Sequence, residues 1–371
     1  QRGTSFATMG NGDTQYTLDR FQWNEEGSFG DAELTITQDT DVPTGQGFAK
    51  SLKAVCTTVD TSIDSNTISY ITQKFEGQNL QHLNRGRSTA ESLTLSFWAK
   101  SNLTGTFTVA FKDVDNTRLY SASYSPSVAD TWEKFIITIP GDTSGGLSNH
   151  NAHSFSVDWN LQAGTSKSNG ALTTAWEAQA EGDRAVGQTN FFSSTSNNFY
   201  LTGVQLEVGT TASDFEFLPV DVNLKRCQRY YQTLGFGHFA MHESGSTYVM
   251  NLPHIQTMRS VPSKGLNISS NLRVRQFGTS DRDASSPSIS SSNGSNNGSY
   301  IKVTGFGSVG RHFIKLLLKN NGKLPSLNIV GISDSSGGIC NLSGGMPLED
   351  VLKWKEGGKC LNKYCVDSKS I

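Results

Sequence analysis

Charge is scarce in this chain. Only 17% of its 371 residues are Asp, Glu, Lys or Arg, against roughly 25% in an average globular domain. The 31 Lys and Arg nearly balance the 33 Asp and Glu. No basic field is therefore present to hold a nucleic acid backbone or an anionic bilayer, and nucleic acid is excluded as a partner class. No apolar run reaches the roughly 18 residues that a hydrocarbon core demands, so membrane insertion is excluded too. Paired cysteines are missing: Cys56, Cys227, Cys340, Cys360 and Cys365 are odd in number and irregularly spaced. Neither a disulfide scaffold nor a zinc module with CxxC pairs fits them, and free thiols made in a reducing cytoplasm are expected. The chain opens Gln1-Arg2-Gly3 with no basic and apolar leader, and lacking an initiator Met it reads as processed or as a piece of something longer. Hydrolytic signatures are also absent. There is no G-x-S-x-G elbow, H-E-x-x-H helix or Walker loop.

Gly, Ser, Thr and Asn fill the space that charge leaves, with 37 glycines alone. That composition suits short strands and turns, and the length suggests two or three domains at roughly 100 to 200 residues each. From about Tyr16 to Leu218 the hydrophobic period is two. In Ser92 to Lys100, Leu93, Leu95 and Phe97 face one way while Thr94, Ser96 and Trp98 face the other. Thr106 to Lys112 repeats this with Phe107, Val109 and Phe111 inward. Phe135 to Ile139, Phe155 to Trp159 and Phe199 to Val208 add further strands, one face core and the other mostly polar. Many short strands separated by Gly, Asn, Asp and Ser turns predict a mostly β fold, a two-sheet antiparallel sandwich of the jelly-roll kind over residues 1–220. Thr173 to Glu181 could supply a turn or two of helix in a long connection.

A small β domain is expected over residues 221–299. Val222 to Tyr231 would enter it as a short helix or a strand, and Ser246 to Met250, Asn271 to Arg275 and Tyr300 to Thr304 would be strands. The Ser, Asn, Gly and Pro stretch from Ser285 to Ser299 buries too little apolar surface to offset its ordering entropy, and reads as a long loop or linker. Over residues 300–371 the grammar becomes βαβ-like. The strand Tyr300 to Thr304 leads into the Gly-rich turn Gly305 to Gly310; Phe313, Leu316 and Leu317 follow at helical spacing, and Leu327 to Asp334 reads as a buried strand.

Several stretches carry a resemblance: Gln1 to Phe6, Thr17 to Phe21, Ser92 to Lys100, Trp132 to Gly145, and above all Leu201 to Gly209 running through Phe215-Glu216 to Cys227-Gln228-Arg229-Tyr230-Tyr231. Together they resemble a module of bacteriophage tail fibres and virion surface proteins that is similar to carbohydrate-binding jelly rolls. Met258 to Pro262 looks like the small β domain that follows it in such fibres. The resemblance implies a virion tail component, a tail fibre or receptor-binding protein. Its partners would be a host surface polysaccharide or lipopolysaccharide and other virion tail proteins, and it would act as a homotrimer, by binding rather than turnover. The last seventy residues instead look like the amino-terminal nucleotide-binding segment of homoserine dehydrogenase, through Gly305 to Gly310, Asn328 to Gly337 and Asp350 to Lys359. That likeness implies a rival function, an NAD(P)-dependent oxidoreductase. A glycan depolymerase and a purely architectural virion part are further alternatives.

Sugar-binding sandwiches stack a ring's C–H face on an exposed aromatic while amides and carboxylates bond the hydroxyls. Trp98 lies opposite the Leu93, Leu95 and Phe97 face, and Trp23 and Trp176 lie in or beside turn-rich segments, so these three are the glycan candidates. The competing reading for each is that it covers an edge of the core. Trp159 shares parity with Phe155 and Val157 and belongs to the core. No cofactor is required, although Asp13, Asp19, Glu25 and Glu26 near the start with Asp214 and Glu216 near the end could converge on Ca2+. Solvated surface acids are the competing reading, as they are for the pairs Glu177 with Glu181 and Asp113 with Asp115 that could pose as glycosidase carboxylates. His238 and His242 lie four apart without a third ligand in reach. Gly305, Gly307 and Gly310 would let a backbone approach a dinucleotide pyrophosphate, with Asp334 on the ribose; the competing reading makes Gly305 and Gly307 turn residues of a final hairpin.

Overall fold

The computed structural model describes residues 3–10, 12–28, 30–233 and 253–262 in full, and beyond them the backbones of the strands Ala240–Ser244, Thr247–Pro253, Leu272–Val274, Arg282–Ala284, Ser288–Gly294, Gly298–Thr304, Gly331–Asp334 and Gly337–Cys340. Two compact units result, Gln1–Tyr231 and Gln232–Ile371.

Thirteen strands build the first unit: β1 (Ser5–Gly10), β2 (Thr14–Tyr16), β3 (Phe21–Glu26), β4 (Glu33–Asp39), β5 (Ser51–Thr58), β6 (Ile68–Glu76), β7 (Leu93–Ser101), β8 (Phe107–Asp113), β9 (Arg118–Tyr124), β10 (Glu133–Ile139), β11 (His153–Ala163), β12 (Glu177–Ala178) and β13 (Asn198–Val208). They form a six-stranded sheet, β1-β4-β5-β13-β7-β10, and a seven-stranded sheet, β12-β9-β8-β11-β6-β3-β2. Every pairing is antiparallel, and the two sheets stack as a jelly-roll sandwich.

Alternation places the core. Leu93, Leu95 and Phe97 of β7 and Phe199 and Leu201 of β13 meet Phe107, Val109 and Phe111 of β8 and Phe155, Val157 and Trp159 of β11 in one buried cluster. Rings knit the layers together: Phe107 stacks on Phe199 with centroids 5.7 Å apart, and Phe97 meets Trp159 edge-on at 6.0 Å. Trp159 is sealed in, as its parity required.

The residues 173–181 form no helix. The chain there makes β12 and a single 3-10 turn, Glu181–Asp183, and the only α turn of this connection lies earlier, at Thr165–Ser168. Of the two alternatives for 222–231, the helix holds: Val220–Gln228 is α-helical, with Asp221 in its first turn and Lys225 and Arg226 in its last, charges that suit the helix dipole. It belongs to the first unit. Arg229 donates to both carboxylate oxygens of Glu76 at 2.7 Å, and Tyr230 donates to the same group at 2.6 Å.

In the second unit, Ala240–Ser244, Thr247–Pro253, Gly298–Thr304 and Ser288–Gly294 make a four-stranded antiparallel sheet in that order. The stretch expected to be a linker thus contributes one strand, Ser288–Gly294, and the first two residues of Gly298–Thr304. The ladder between Ser288–Gly294 and Gly298–Thr304 is held by backbone groups, which a sequence rich in Ser and Asn supplies like any other. In the described backbone of the tail, Gly331–Asp334 pairs antiparallel with Gly337–Cys340, Asp334 opposite Gly337, and Gly298–Thr304 has antiparallel neighbours on both sides; the helix expected between them lies outside the described residues. Adjacent segments can pair this way directly, while a parallel pair needs a long crossover.

Candidate binding face on the seven-stranded sheet

The three tryptophans proposed to meet a ligand separate sharply. Trp23 faces inward from β3, opposite Ile71, and is 0% exposed. Strand parity, not the neighbouring turn, decides its side. Trp176 is also buried: its Nε1 donates to the Pro140 carbonyl at 2.8 Å, and the Arg85 guanidinium lies 4.0 Å over its ring. Neither can stack on a sugar from outside. Trp98 is half-buried on the outer face of the six-stranded sheet, between Lys134 of β10 and Thr202 of β13. Two residues on, Lys100 lies 4.3 Å over the ring of Tyr200 and also pairs with Asp41, which accepts from Trp132 Nε1 at 2.9 Å.

The acids proposed for Ca2+ do not converge. Asp13 accepts from the Gly10 amide at 3.3 Å, Asp19 interacts with Cys227, and Asp214 contributes its backbone carbonyl to Gln205. No group of three His, Cys, Asp or Glu side chains is placed to hold a metal among the described residues. Asp113 is paired with Arg85, and Asp115 accepts from the Ser148 amide. Gly305, Gly307 and Gly310 lie outside the described residues, as does the side chain of Asp334. So do those of His238, His242, Cys340, Cys360 and Cys365.

A site that strand parity alone left as solvated surface lies on the outer face of the seven-stranded sheet. The outward phase of β11 is Ser154, Ser156, Asp158, Asn160 and Gln162, and every one is buried. Neighbouring strands extend it into rows: Gln22, Thr72 and Asp158 lie abreast, then Asn24, Tyr70 and Asn160, then Lys74, Ser156 and Lys112. The connection from Gly164 to Thr189 crosses this face. It is pinned by Gly164 to the Thr67 carbonyl, by Gln188 to Thr108 at 2.8 and 2.9 Å, and by Thr189 to the Thr106 carbonyl. From it Arg184 descends to the floor, 2% exposed, donating through Nη1 to Glu26 at 2.7 Å and Glu181 at 3.0 Å.

Charge is balanced across this face. Lys112 Nζ stands 2.9 Å from Asp158 Oδ2 and 3.8 Å from Glu26, and Lys167 pairs with Glu181. Burial pushes the Glu26 carboxyl up, but the Arg184 bond and the charges of Arg184 and Lys112 outweigh it and bring it down to about 2. The Tyr70 ring lies between Lys112 at 5.0 Å and Arg184 at 5.6 Å, and its phenol donates to Glu26; burial and the carboxylates of Asp158 and Glu26 hold its proton on. His153 at the open end is pushed down to about 4 by burial and by Lys74.

Hydrogen-bonding capacity is left over. Arg184 Nε and Nη2, Asn160 Oδ1, Ser156 Oγ and Gln22 Oε1 are buried without a hydrogen-bond partner in the chain, and Asp158 Oδ2 has only its ion pair with Lys112. A buried polar atom left unpaired costs about 1–3 kcal/mol, and the outward row of β11 carries three of these atoms, on Ser156, Asp158 and Asn160. Donors and acceptors both occur, an arrangement complementary to hydroxyl groups, which do both. The unbroken polar phase of β11 was the one sequence signal for this face. Arg184, arriving from an irregular connection, had none.

Comparison with known proteins adds the following. The model of the family described as Glutamate/Leucine/Phenylalanine/Valine dehydrogenase matches residues 284–370. The tail is therefore similar to a dehydrogenase segment, though of another family than homoserine dehydrogenase. No curated protein matches the chain. Among solved structures, the tailspike protein 4 enzymatically active domain of bacteriophage CBA120 is similar over 54% of this chain at 14% identity with a TM-score of 0.29, and the chain spans only 21% of that domain's length. The family 11 carbohydrate-binding module of the cellulosomal cellulase Lic26A-Cel5E of Clostridium thermocellum is similar over 55% of this chain and 95% of its own, at 10% identity and a TM-score of 0.28. A putative sugar binding protein from Bacteroides thetaiotaomicron is similar over 50% of this chain and 87% of its own, at 12% identity and a TM-score of 0.27.

Proposed function

We propose that the first unit is a glycan-recognition module of a bacteriophage tail fibre or receptor-binding component, and that it binds a host surface polysaccharide or lipopolysaccharide without turning it over. The observation that carries the reading is the set of buried, unpartnered donors and acceptors on the outer face of the seven-stranded sheet. A sugar's hydroxyls meet both kinds of atom, and a rigid sheet holds them in place. The sequence resemblance to phage tail modules supports the virion setting. A weak single site would be compensated in a homotrimer, where linked sites act at high effective concentration.

The test is retention on host polysaccharide by the whole protein and by Asp158→Ala, Asn160→Ala and Trp98→Ala. Loss in the first two with Trp98→Ala retained places recognition on the seven-stranded sheet. Loss in Trp98→Ala alone moves it to the other face, and release of shorter chains on incubation makes the protein a depolymerase. Light scattering tests whether the protein is a trimer.

A second reading is supported by the match of the dehydrogenase family to residues 284–370. It makes the tail a nucleotide-binding segment that takes NAD(P). A saturable rise in melting temperature with NAD(P)H, abolished by Gly307→Asp, would favour it.

A further inference from the structure

The two sheets of the sandwich end in four edge strands, β1, β10, β12 and β2, and three of these are blunted. β2 has three residues and β12 two. β1 is broken by a register shift between Phe6 and Met9, with Thr8 in the left-handed region at φ +56°. Short strands and bulges are the usual means by which a protein keeps an open edge from pairing with another chain. β10 has neither. Its seven residues run opposite β7 without a shift, from Glu133 against Ala99 to Ile139 against Leu93, and none is Pro.

The phase of the ladder shows where the backbone of β10 points. The Ser101 carbonyl accepts from the Asp130 amide on the β10 side of β7, and the Ser92 carbonyl accepts from the Gly209 amide on the β13 side. Bonding direction alternates along an antiparallel strand, so Leu93, Leu95, Phe97 and Ala99 bond to β10 and the residues between them to β13. Glu133, Phe135, Ile137 and Ile139 are therefore spent on β7, while the N–H and C=O groups of Lys134, Ile136 and Thr138 point out from the sheet edge. The Thr138 carbonyl meets only the Tyr120 hydroxyl, at 3.5 Å, and no loop backbone among the described residues bonds to the three. Their side chains are exposed as well, Ile136 by 55%. An edge of this kind is a template for one more strand.

We infer that the strand which β10 accepts is the β10 of a second copy of this chain, antiparallel across a twofold axis at Ile136, so that two six-stranded sheets become one. The residues of β10 select this occupant. Ile136, the exposed apolar side chain of the edge, falls on the axis and is covered by the partner's Ile136, while the partly buried Phe135 gains the partner's Ile137 beside it. Lys134 lies two residues off the axis, so the two lysines stand apart and each faces a threonine, the partner's Thr138. Glu133 falls opposite the partner's Ile139, and its carboxylate is already held by the Ser127 and Val128 amides at 2.7 and 3.1 Å. No like charges face each other, and an isologous contact closes at two copies. Seven residues a side is small against the roughly 20 to 30 of a standard interface, so the dimer forms at roughly micromolar concentrations and above.

The experiment is sedimentation equilibrium of the full chain from about 1 to 100 µM, with Ile136→Lys and Thr138→Glu beside it. Both side chains are exposed in the single copy, and thermal melting confirms that each variant folds. The apparent mass should rise from one copy toward two as concentration increases. Ile136→Lys sets two ammonium groups against each other on the axis and removes the apolar contact, and should raise the dimer Kd at least about tenfold. Thr138→Glu puts a carboxylate opposite the partner's Lys134, twice in each dimer, and should lower Kd about two- to tenfold at low salt. A single-copy mass at every concentration overturns the inference. So does a dimer that neither variant moves, or a three-copy mass insensitive to Ile136→Lys, because association then runs through another surface. None of these outcomes bears on glycan retention, which is measured separately.

Discussion

Replacing Arg85 by Met tests how the rim of the sandwich is held. Arg85 Nη2 lies 3.3 Å from Asp113 and 3.1 Å from Asp142, all three side chains at most 3% exposed, and its guanidinium covers Trp176 at 4.0 Å and Phe155 at 5.6 Å. The two acids are not equally dependent on it. Asp142 keeps Arg118, at 2.6 and 3.1 Å, and the Ser144 amide. Asp113 keeps only Asn116, at 3.0 Å. The loss therefore falls on Asp113, a carboxylate with no cation left, and breaking a buried pair from one side costs about 3–5 kcal/mol. For a unit of this size each kcal/mol lowers Tm by about 2–4 °C, so Arg85→Met should melt roughly 6–20 °C lower at pH 7.

The deficit must also depend on pH. Burial already raises the Asp113 carboxyl in the intact protein, and without Arg85 it rises further. A carboxyl raised in the folded state costs stability above its unfolded value of about 3.9, and the cost disappears as the pH falls toward that value. Calorimetry at pH 8 and pH 5 should show the larger deficit at pH 8. Arg85→Met/Asp113→Asn, which removes the stranded charge, should regain more than half of the loss. A single variant that melts within about 2 °C of the parent, or a double variant less stable than the single, refutes the argument.

His153 stays neutral in the fold because burial and Lys74 lower it from 6.5 to about 4. The unfolded chain takes the proton first, so stability is lost as pH falls from 6.5 to about 4, and His153→Gln should flatten that part of a Tm against pH curve. Trp23→Ala should cost about 3–5 kcal/mol by chemical denaturation, and Trp98→Ala on the half-buried outer face about 1–2 kcal/mol; equal losses would contradict the placement of the two rings. Gly203 has φ +59°, and a Cβ there would lie 2.5 Å from Phe48 Cζ. Gly203→Ala should therefore destabilise the unit by more than the about 1 kcal/mol of left-handed strain alone, with only that remainder left in a Phe48→Ala background.

Period two in β7, β8 and β11 was enough to specify the sandwich, because an inward Leu95, Phe107 or Val157 needs a facing layer whatever the turns between strands do. The same rule buried Trp159 correctly and, applied to β3, would have buried Trp23 with Ile71 across the ladder. Turn-rich neighbours misled there, since a strand's register outranks the loop beside it. The candidate face was half legible. Ser154, Ser156, Asp158, Asn160 and Gln162 alternate without a break, yet alternation says only that they face outward. Whether outward means wet depends on the connection from Gly164 to Thr189 lying across them, and no local pattern announces that. Arg184 shows why. Its partner Glu26 lies 158 positions away in sequence, so the pairing that lowers a guanidinium onto the floor exists only once both sheets and the connection are in place. Contacts of this kind are thus written in the irregular segments of a sandwich, where Glu26 and Glu181 meet Arg184, and no strand pattern foretells them.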